Sequence, residues 1–229
     1  MWYNKFSDSC LTKKLNFNPQ PHNIMILILL LIGFGIGVVV DSFFEWTLHR
    51  FVMHRPVKIF GLTLKYAFEA HAKVHHHVFG SEKNYHLIDE KKQDKWKIPM
   101  TWWNGPLLIA LCQYPFLIAC LFIGKWWLLL GSGIAGITYY ATYESLHWCM
   151  HLPRKRIIER NGIFFRLNGH HLLHHRYMHK NFNVVLPLAD LCLDTLLLRS
   201  PTKFAQPTPN DVLPDVQPNW QPRSAFILR

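Results

Sequence analysis

From Ile24 to Val40 the chain runs seventeen residues, IMILILLLIGFGIGVVV, without one charged or polar side chain. Continued through Asp41–Leu48 the segment reaches 25 residues. At about 1.5 Å per residue it crosses a hydrocarbon layer of about 30 Å once, with some tilt. Gly33, Gly35 and Gly37 give it a small-residue face for close helix packing. Two further apolar blocks, Pro106–Gly124 and Trp126–Tyr143, are joined only by Gly124–Lys125. So short a link makes them an antiparallel hairpin. The expected class is an all-α integral membrane protein with spans at about 24–48, 106–124 and 126–148. Residues 1–23 form a polar lead, 24–199 a single membrane domain, and 200–229 a proline-rich tail.

Charge follows the same plan. The formal net charge is +11, and 21 of the 25 lysines and arginines lie between His49 and Gly105 or after Cys149. These are the polar segments flanking the apolar blocks, the distribution of the cytoplasmic side of a multi-pass protein. With the first helix ending on that side, the hairpin starts and returns there, and the N-terminus lies opposite. The basic stretch Leu152–Leu167 suits an anionic membrane surface. Trp102 and Trp103 suit an interfacial belt. No nucleic-acid-binding signature accompanies the positive charge. Cys10, Cys112, Cys120, Cys149 and Cys192 show no C-x-x-C spacing and read as packing residues in a reducing compartment.

Histidine is the chemistry-bearing residue. Gly169–Asn183 holds five of the fifteen, with His171, His174 and His175 at i, i+3 and i+4 of one helical face. Three imidazoles so placed make half a metal site; the competing reading is a solvated run. Three other groups lie at the same depth of the expected topology: His49 and His54; His71, His75 and His76; His147 and His151. Ten imidazoles fit two metal ions better than one. In the second group His75 with His76, or His76 with His77, can be the working pair. Glu45, one turn before His49, can hold an imidazole tautomer, and Tyr143 shares a face with His147 and His151. There is no H-E-x-x-H, no G-x-S-x-G and no Gly-rich phosphate loop.

HRFVMH, HAKVHHHVF, YESLHWCMH and HHLLHH followed by NFNVVLPLADLCLDT resemble the histidine boxes of the fatty acid hydroxylase superfamily. That family comprises membrane oxygenases such as sterol desaturases and lipid hydroxylases. The resemblance covers about 49–195. It implies three to four transmembrane helices capped by a cytosolic helical domain. Between them would lie a dimetal centre, iron first and zinc second, ligated by the ten histidines named above. It implies O2-dependent hydroxylation of a fatty-acyl or sterol-like lipid drawn from the bilayer, with the active site on the cytoplasmic face. No cytochrome b5-like segment accompanies the boxes, so electrons are expected from a separate cytochrome b5-like or ferredoxin-type carrier with its reductase.

Supporting roles around the ligands fall to Glu45, Tyr143, Glu144, His77, His170, His179, Asn181 and Asp190; His86 lies outside the boxes and His22 reads as surface. The chain departs from the family at two turns. Asn183 stands where a glycine follows the Asn-aromatic pair, and is expected to carry its positive φ. Asp194 stands where a glycine precedes threonine, a less comfortable replacement. Two alternatives remain. A carotenoid hydroxylase shares an HR-x-x-MH-like first box, but the third box, His147 and His151, is spaced by three where such enzymes space it by four. A non-enzymatic membrane metal-binding or transport protein would hold its ligands near the bilayer midplane, whereas these lie at helix ends.

Overall fold

The computed structural model describes residues 21–59, 62–80, 84–87 and 104–198. The expected tail, most of the lead, Lys91–Lys97 and Trp102–Trp103 lie outside the described residues. Three long helices form the base: α1 (Pro21–Leu48), α4 (Asn104–Ile123) and α5 (Trp126–His151). Helix α1 begins three residues before the apolar run, because Pro21 fits the first helical position, where its missing N–H is not needed. Beyond Leu48 the helix continues as a π-helical turn, His49–Met53. The π-extended first helix, Pro21–Met53, and α4 are long and apolar enough to cross a membrane. Their outward faces carry exposed Ile24, Leu27, Leu31, Leu111, Leu121 and Phe122, a surface suited to hydrocarbon.

Glycine sets how closely α1 and α5 approach. A Cβ on Gly33 would lie 2.3 Å from the Leu128 carbonyl oxygen, and one on Gly131 would lie 2.2 Å from that of Leu30. Gly37 faces Ser132 and Ala135. Gly35, expected to share this face, meets nothing within 4 Å. The helical repeat explains the difference: residues four apart share a face and residues two apart do not. Gly33 against Leu128 and Glu45 against Tyr139 make α1 and α5 parallel. Gly105 against Tyr140 and Gln113 against Ser132 make α4 antiparallel to α5. The C-terminal ends of α1 and α5 and the N-terminal end of α4 therefore lie together.

The histidine boxes sit at that end. Between α1 and α4 the chain first forms a two-stranded antiparallel hairpin, Val57–Ile59 with Leu62–Leu64, a small addition to an otherwise helical fold among the described residues. A short helix α2 (Tyr66–Phe68) then leads into a π-helix, Glu69–His75, and a last turn α3 (His76–Val78). After α5, the expected amphipathic segment 152–167 is a turn around Ile158–Arg160 and the start of α6 (Gly162–Arg176). Asn161 caps α6 by accepting the Ile163 N–H at 2.8 Å. The segment after Val184 contains the short α7 (Leu188–Cys192).

Substitution of the two glycines separates contact from propensity. Gly33→Ala is expected to destabilise by about 1–3 kcal/mol, because backbone atoms cannot yield as a side chain can. Gly35→Ala gains up to about 1 kcal/mol of helix propensity at an open position. Thermal unfolding in detergent micelles reads both.

Candidate metal centre

Nine of the ten expected ligands converge in two groups. His49, His54, His71, His76 and His174 form the first, and His75, His151, His171 and His175 the second. Within each group one nitrogen per residue lies within 4.8 Å of all the others. His147 lies beside the second group, with ring centroids 4.7 Å from His75 and 4.9 Å from both His151 and His171. Its Nε2 is buried without a partner. The two groups abut: the rings of His76 and His175 are 4.3 Å apart.

The boxes do not map one to one onto the groups. His174 enters the first group while His171 and His175 enter the second. The last box therefore bridges two sites and is not half of one. The second box divides likewise, His71 and His76 to the first group and His75 to the second. His77 is exposed, so His75 and His76 are the pair that enters the groups. Backbone geometry makes this possible. On an α-helix, residues five apart are about 140° apart around the axis. A π-helix closes i→i+5 and stacks them. Both five-residue pairs, His49 with His54 and His71 with His76, run from a π-helical residue to the residue that caps that π-helix. His49 and His54 stack at 5.2 Å, and the Nε2 atoms of His71 and His76 are 3.1 Å apart.

All the close contacts are Nε2 to Nε2. In the first group they run His49–His71 (2.8 Å), His71–His76 (3.1 Å), His76–His174 (3.2 Å) and His174–His54 (3.1 Å). In the second they run His151–His171 (3.1 Å), His171–His175 (3.1 Å) and His175–His75 (3.2 Å). Backbone carbonyls fix three tautomers. His49 Nδ1 donates to the Phe182 carbonyl, His174 Nδ1 to that of Lys180 at 2.8 Å, and His151 Nδ1 to that of Tyr85 at 3.0 Å. A carbonyl only accepts, so Nε2 of each of these neutral rings presents a lone pair.

Neutral imidazoles cannot satisfy the first group among themselves. A ring nitrogen donates or accepts but does not do both. His49 and His174 are both acceptors, and three contacts separate them. Alternating donor and acceptor therefore fails somewhere along that path. A cation removes the conflict, because it takes a lone pair from all five. The spacing fits as well: two nitrogens at right angles, each about 2.1 Å from an ion, lie about 3.0 Å apart.

Burial keeps these rings neutral. It pushes His54 down to about 4 and His174 down to about 3, and it lowers His71, His75, His76, His171 and His175 as well.

Around the ligands lies a hydrogen-bonded loop, 177–197. Asp190 accepts from the backbone N–H of Phe182 and Asn183, both at 2.8 Å, from Thr195 Oγ1 at 2.6 Å and from His170 Nε2 at 3.1 Å. Burial alone would raise the Asp190 carboxyl. The bonds from His170, Thr195 and the two amides hold it below its ordinary range. His170 is thus a clamp on Asp190 and is no ligand. Glu45, expected to hold an imidazole, touches none. It accepts from Tyr139 (2.6 Å), Asn183 Nδ2 (3.0 Å) and the Val184 N–H (2.6 Å), which ties α1 to this loop and to α5. Tyr143 stacks on His147 at 5.4 Å. One Glu144 oxygen is buried without a partner. His179 is exposed, as are His77 and His22.

The two departures at turns resolve differently. The left-handed residue near the last box is Asn181 (φ 55°), and Asn183 is not left-handed. Asn181 Nδ2 donates to the His170 and Leu197 carbonyls, and its Oδ1 accepts from the Leu197 N–H at 2.6 Å. Asn183 is used for its side chain. Nδ2 reaches the Ser42 carbonyl (2.8 Å) and Glu45, and Oδ1 accepts from the Asp190 N–H (3.1 Å). Asp194 does take the left-handed conformation (φ 55°), with its side chain exposed.

Sequence reasoning missed Tyr85, fully buried, which fixes His151 through its carbonyl and bonds Asn168 Oδ1 at 2.9 Å. Its signal was an aromatic residue in a charged stretch. The Phe182 and Lys180 carbonyls carried no side-chain signal at all. His86 bonds the Met150 carbonyl at 2.7 Å and is no ligand.

Two apolar pockets reach the groups from the helical base. One is lined by Phe44, Leu48, His49, Leu108 and Tyr139 among others, the second by Val52, Leu107, His71, His75, Glu144 and His147 among others. They share Leu48, Met53, Leu108 and Tyr143. No protein-family model matches this chain, and no curated protein or solved structure does.

Two results are expected. His54 and His174 titrate lower in the folded chain than the ordinary value of 6.5, so the unfolded chain binds more protons. Stability of metal-free protein is therefore complete above about pH 6.5 and falls below it, through about 4 for His54 and about 3 for His174, read as a falling melting temperature. The turn substitutions have opposite signs. Asp194→Gly stabilises by about 0.5–1 kcal/mol, because glycine adopts positive φ without strain. Asn183→Gly destabilises by about 1–3 kcal/mol, because buried partners lose their bonds.

Proposed function

We propose that this protein is a multi-pass membrane oxygenase of the fatty acid hydroxylase kind, with two iron ions and a lipid substrate. The observation that carries the proposal is the pair of abutting Nε2-lined groups opening on apolar pockets in the helical base. Nitrogen separations of 2.8–3.2 Å favour right-angle ligand pairs. The five imidazoles of the first group also exceed the four ligands of a structural zinc and suit a redox metal. Iron bound there would supply the reduction of O2 and the oxidation of an unactivated C–H bond.

The chain's own residues do the rest. The carbonyls of Phe182, Lys180 and Tyr85 orient three ligand rings. Phe79, stacked on His151 at 4.4 Å, and Phe182, 5.6 Å from His174, keep water off the imidazoles. Leu48, Val52, Met53, Leu107 and Leu108 pack an apolar chain against the site. In this reading α1, α4 and α5 span the bilayer and the histidine end faces the cytoplasm, where the basic segments lie. Electrons arrive from a separate carrier. The ligands gather at helix ends, which favours this reading over a transporter.

The test is isotopic. Membranes containing the protein are incubated with 18O2 and a reducing system, and their lipids are profiled by mass spectrometry. One 18O atom enters a lipid with the wild type, and His174→Ala or His175→Ala abolishes it. Unlabelled lipids with the metal-loaded wild type would contradict the proposal.

A further inference from the structure

The pocket between α1, α4 and α5 ends, away from the histidines, on a carboxyl group. Asp41 lines that end with Ile109, Cys112 and Gly136. It is 5 % exposed. Cys112 Sγ donates to Oδ1 at 3.0 Å, while Oδ2 is buried with no hydrogen-bond partner. A carboxyl group serving packing alone would use both oxygens, as Glu45 does one turn further on. An unmade hydrogen bond in an apolar interior is costly, so a buried, unpartnered oxygen on a residue that lines a pocket is a place for a ligand's donor.

Asp41 stands eight residues before His49 on one helix, about 12 Å away along its axis. The wall between them is apolar or aromatic: Phe44, Leu48, Leu108, Tyr139 and Tyr140. We propose that Asp41 binds a hydroxyl group at one end of the substrate, the other end lying at the histidine groups. The substrate class is then a lipid alcohol whose hydroxyl lies about 12 Å from the carbon presented for oxidation. A hydroxyl fits Asp41 in either protonation state, since it both donates and accepts. An ammonium would add a second charge to the membrane interior. An ordinary fatty-acyl chain would place only a methyl group there. This inference rests on the proposed function, and it narrows the substrate.

Photolabelling tests it without turnover. The purified full-length protein in lipid nanodiscs is irradiated with two probes. One is an alcohol carrying a diazirine about 12 Å from its hydroxyl; the other is the hydrocarbon of the same length and diazirine position. Labelled peptides are located by mass spectrometry. The alcohol is expected to label the segment containing Leu48–Met53 about tenfold more than the hydrocarbon, the difference made by a hydrogen bond to a buried acceptor. Asp41→Leu brings the alcohol down to the level of the hydrocarbon. Equal labelling by the two probes in the wild type overturns the proposal and needs no variant. Full preference for the alcohol in a folded Asp41→Leu protein overturns it too. Labelling needs neither O2 nor reductant, so a protein that labels as expected and oxidises nothing contradicts only the proposed function.

Discussion

Buried imidazoles with their lone pairs turned toward one another are unstable neighbours, and that constraint governs this structure. His49, His151 and His174 are held in one tautomer by backbone carbonyls, so their Nε2 atoms accept and do not donate. Placing two such acceptors at the ends of a path of three contacts leaves a conflict that no arrangement of protons removes. The energy needed to hold the rings together comes from packing around them. Tyr85, Met150, Leu152 and Val184 are completely buried beside the site. A cation held by the first group would turn that conflict into coordination.

The scaffold reaches the site through two carboxylates. Glu45 joins α1 to α5 and to the loop after the last box, and Asp190 closes that loop on itself and on His170. Phe182, whose carbonyl fixes His49, is held by Asp190 through its own N–H. Trp46 packs on the Phe182 ring at 5.8 Å and donates to Thr195 at 2.8 Å. His49, the candidate ligand that follows the first helix, is thus positioned by a loop 133 residues further along the chain. Movement of that loop would disturb His49 and His174 together.

Much of this was legible in the sequence. The apolar blocks gave the long helices and the hairpin, because periodic exclusion of charge survives any tertiary context. The boxes gave the histidines that cluster, because imidazoles at helical spacing share a face. What stayed hidden were features written in the backbone. The π-helical turns that bring His49 to His54 and His71 to His76 have no residue signature in HRFVM or EAHAKVH. Carbonyl acceptors carry no side-chain identity. The turn residues misled by analogy: Asn181, not Asn183, adopts positive φ, while Asn183 works through its amide. Glu45 was expected to hold a histidine because it lies one turn from His49, yet its side chain faces the loop.

Metal stoichiometry tests the central claim most directly. Protein purified without chelators is analysed by inductively coupled plasma mass spectrometry alongside His49→Ala and His171→Ala, one change in each group. Two ions per chain in the wild type and one in each variant is the result that two cation-built groups predict. A wild type that binds no transition metal when iron is supplied, or that binds a single ion lost from both variants, would contradict it.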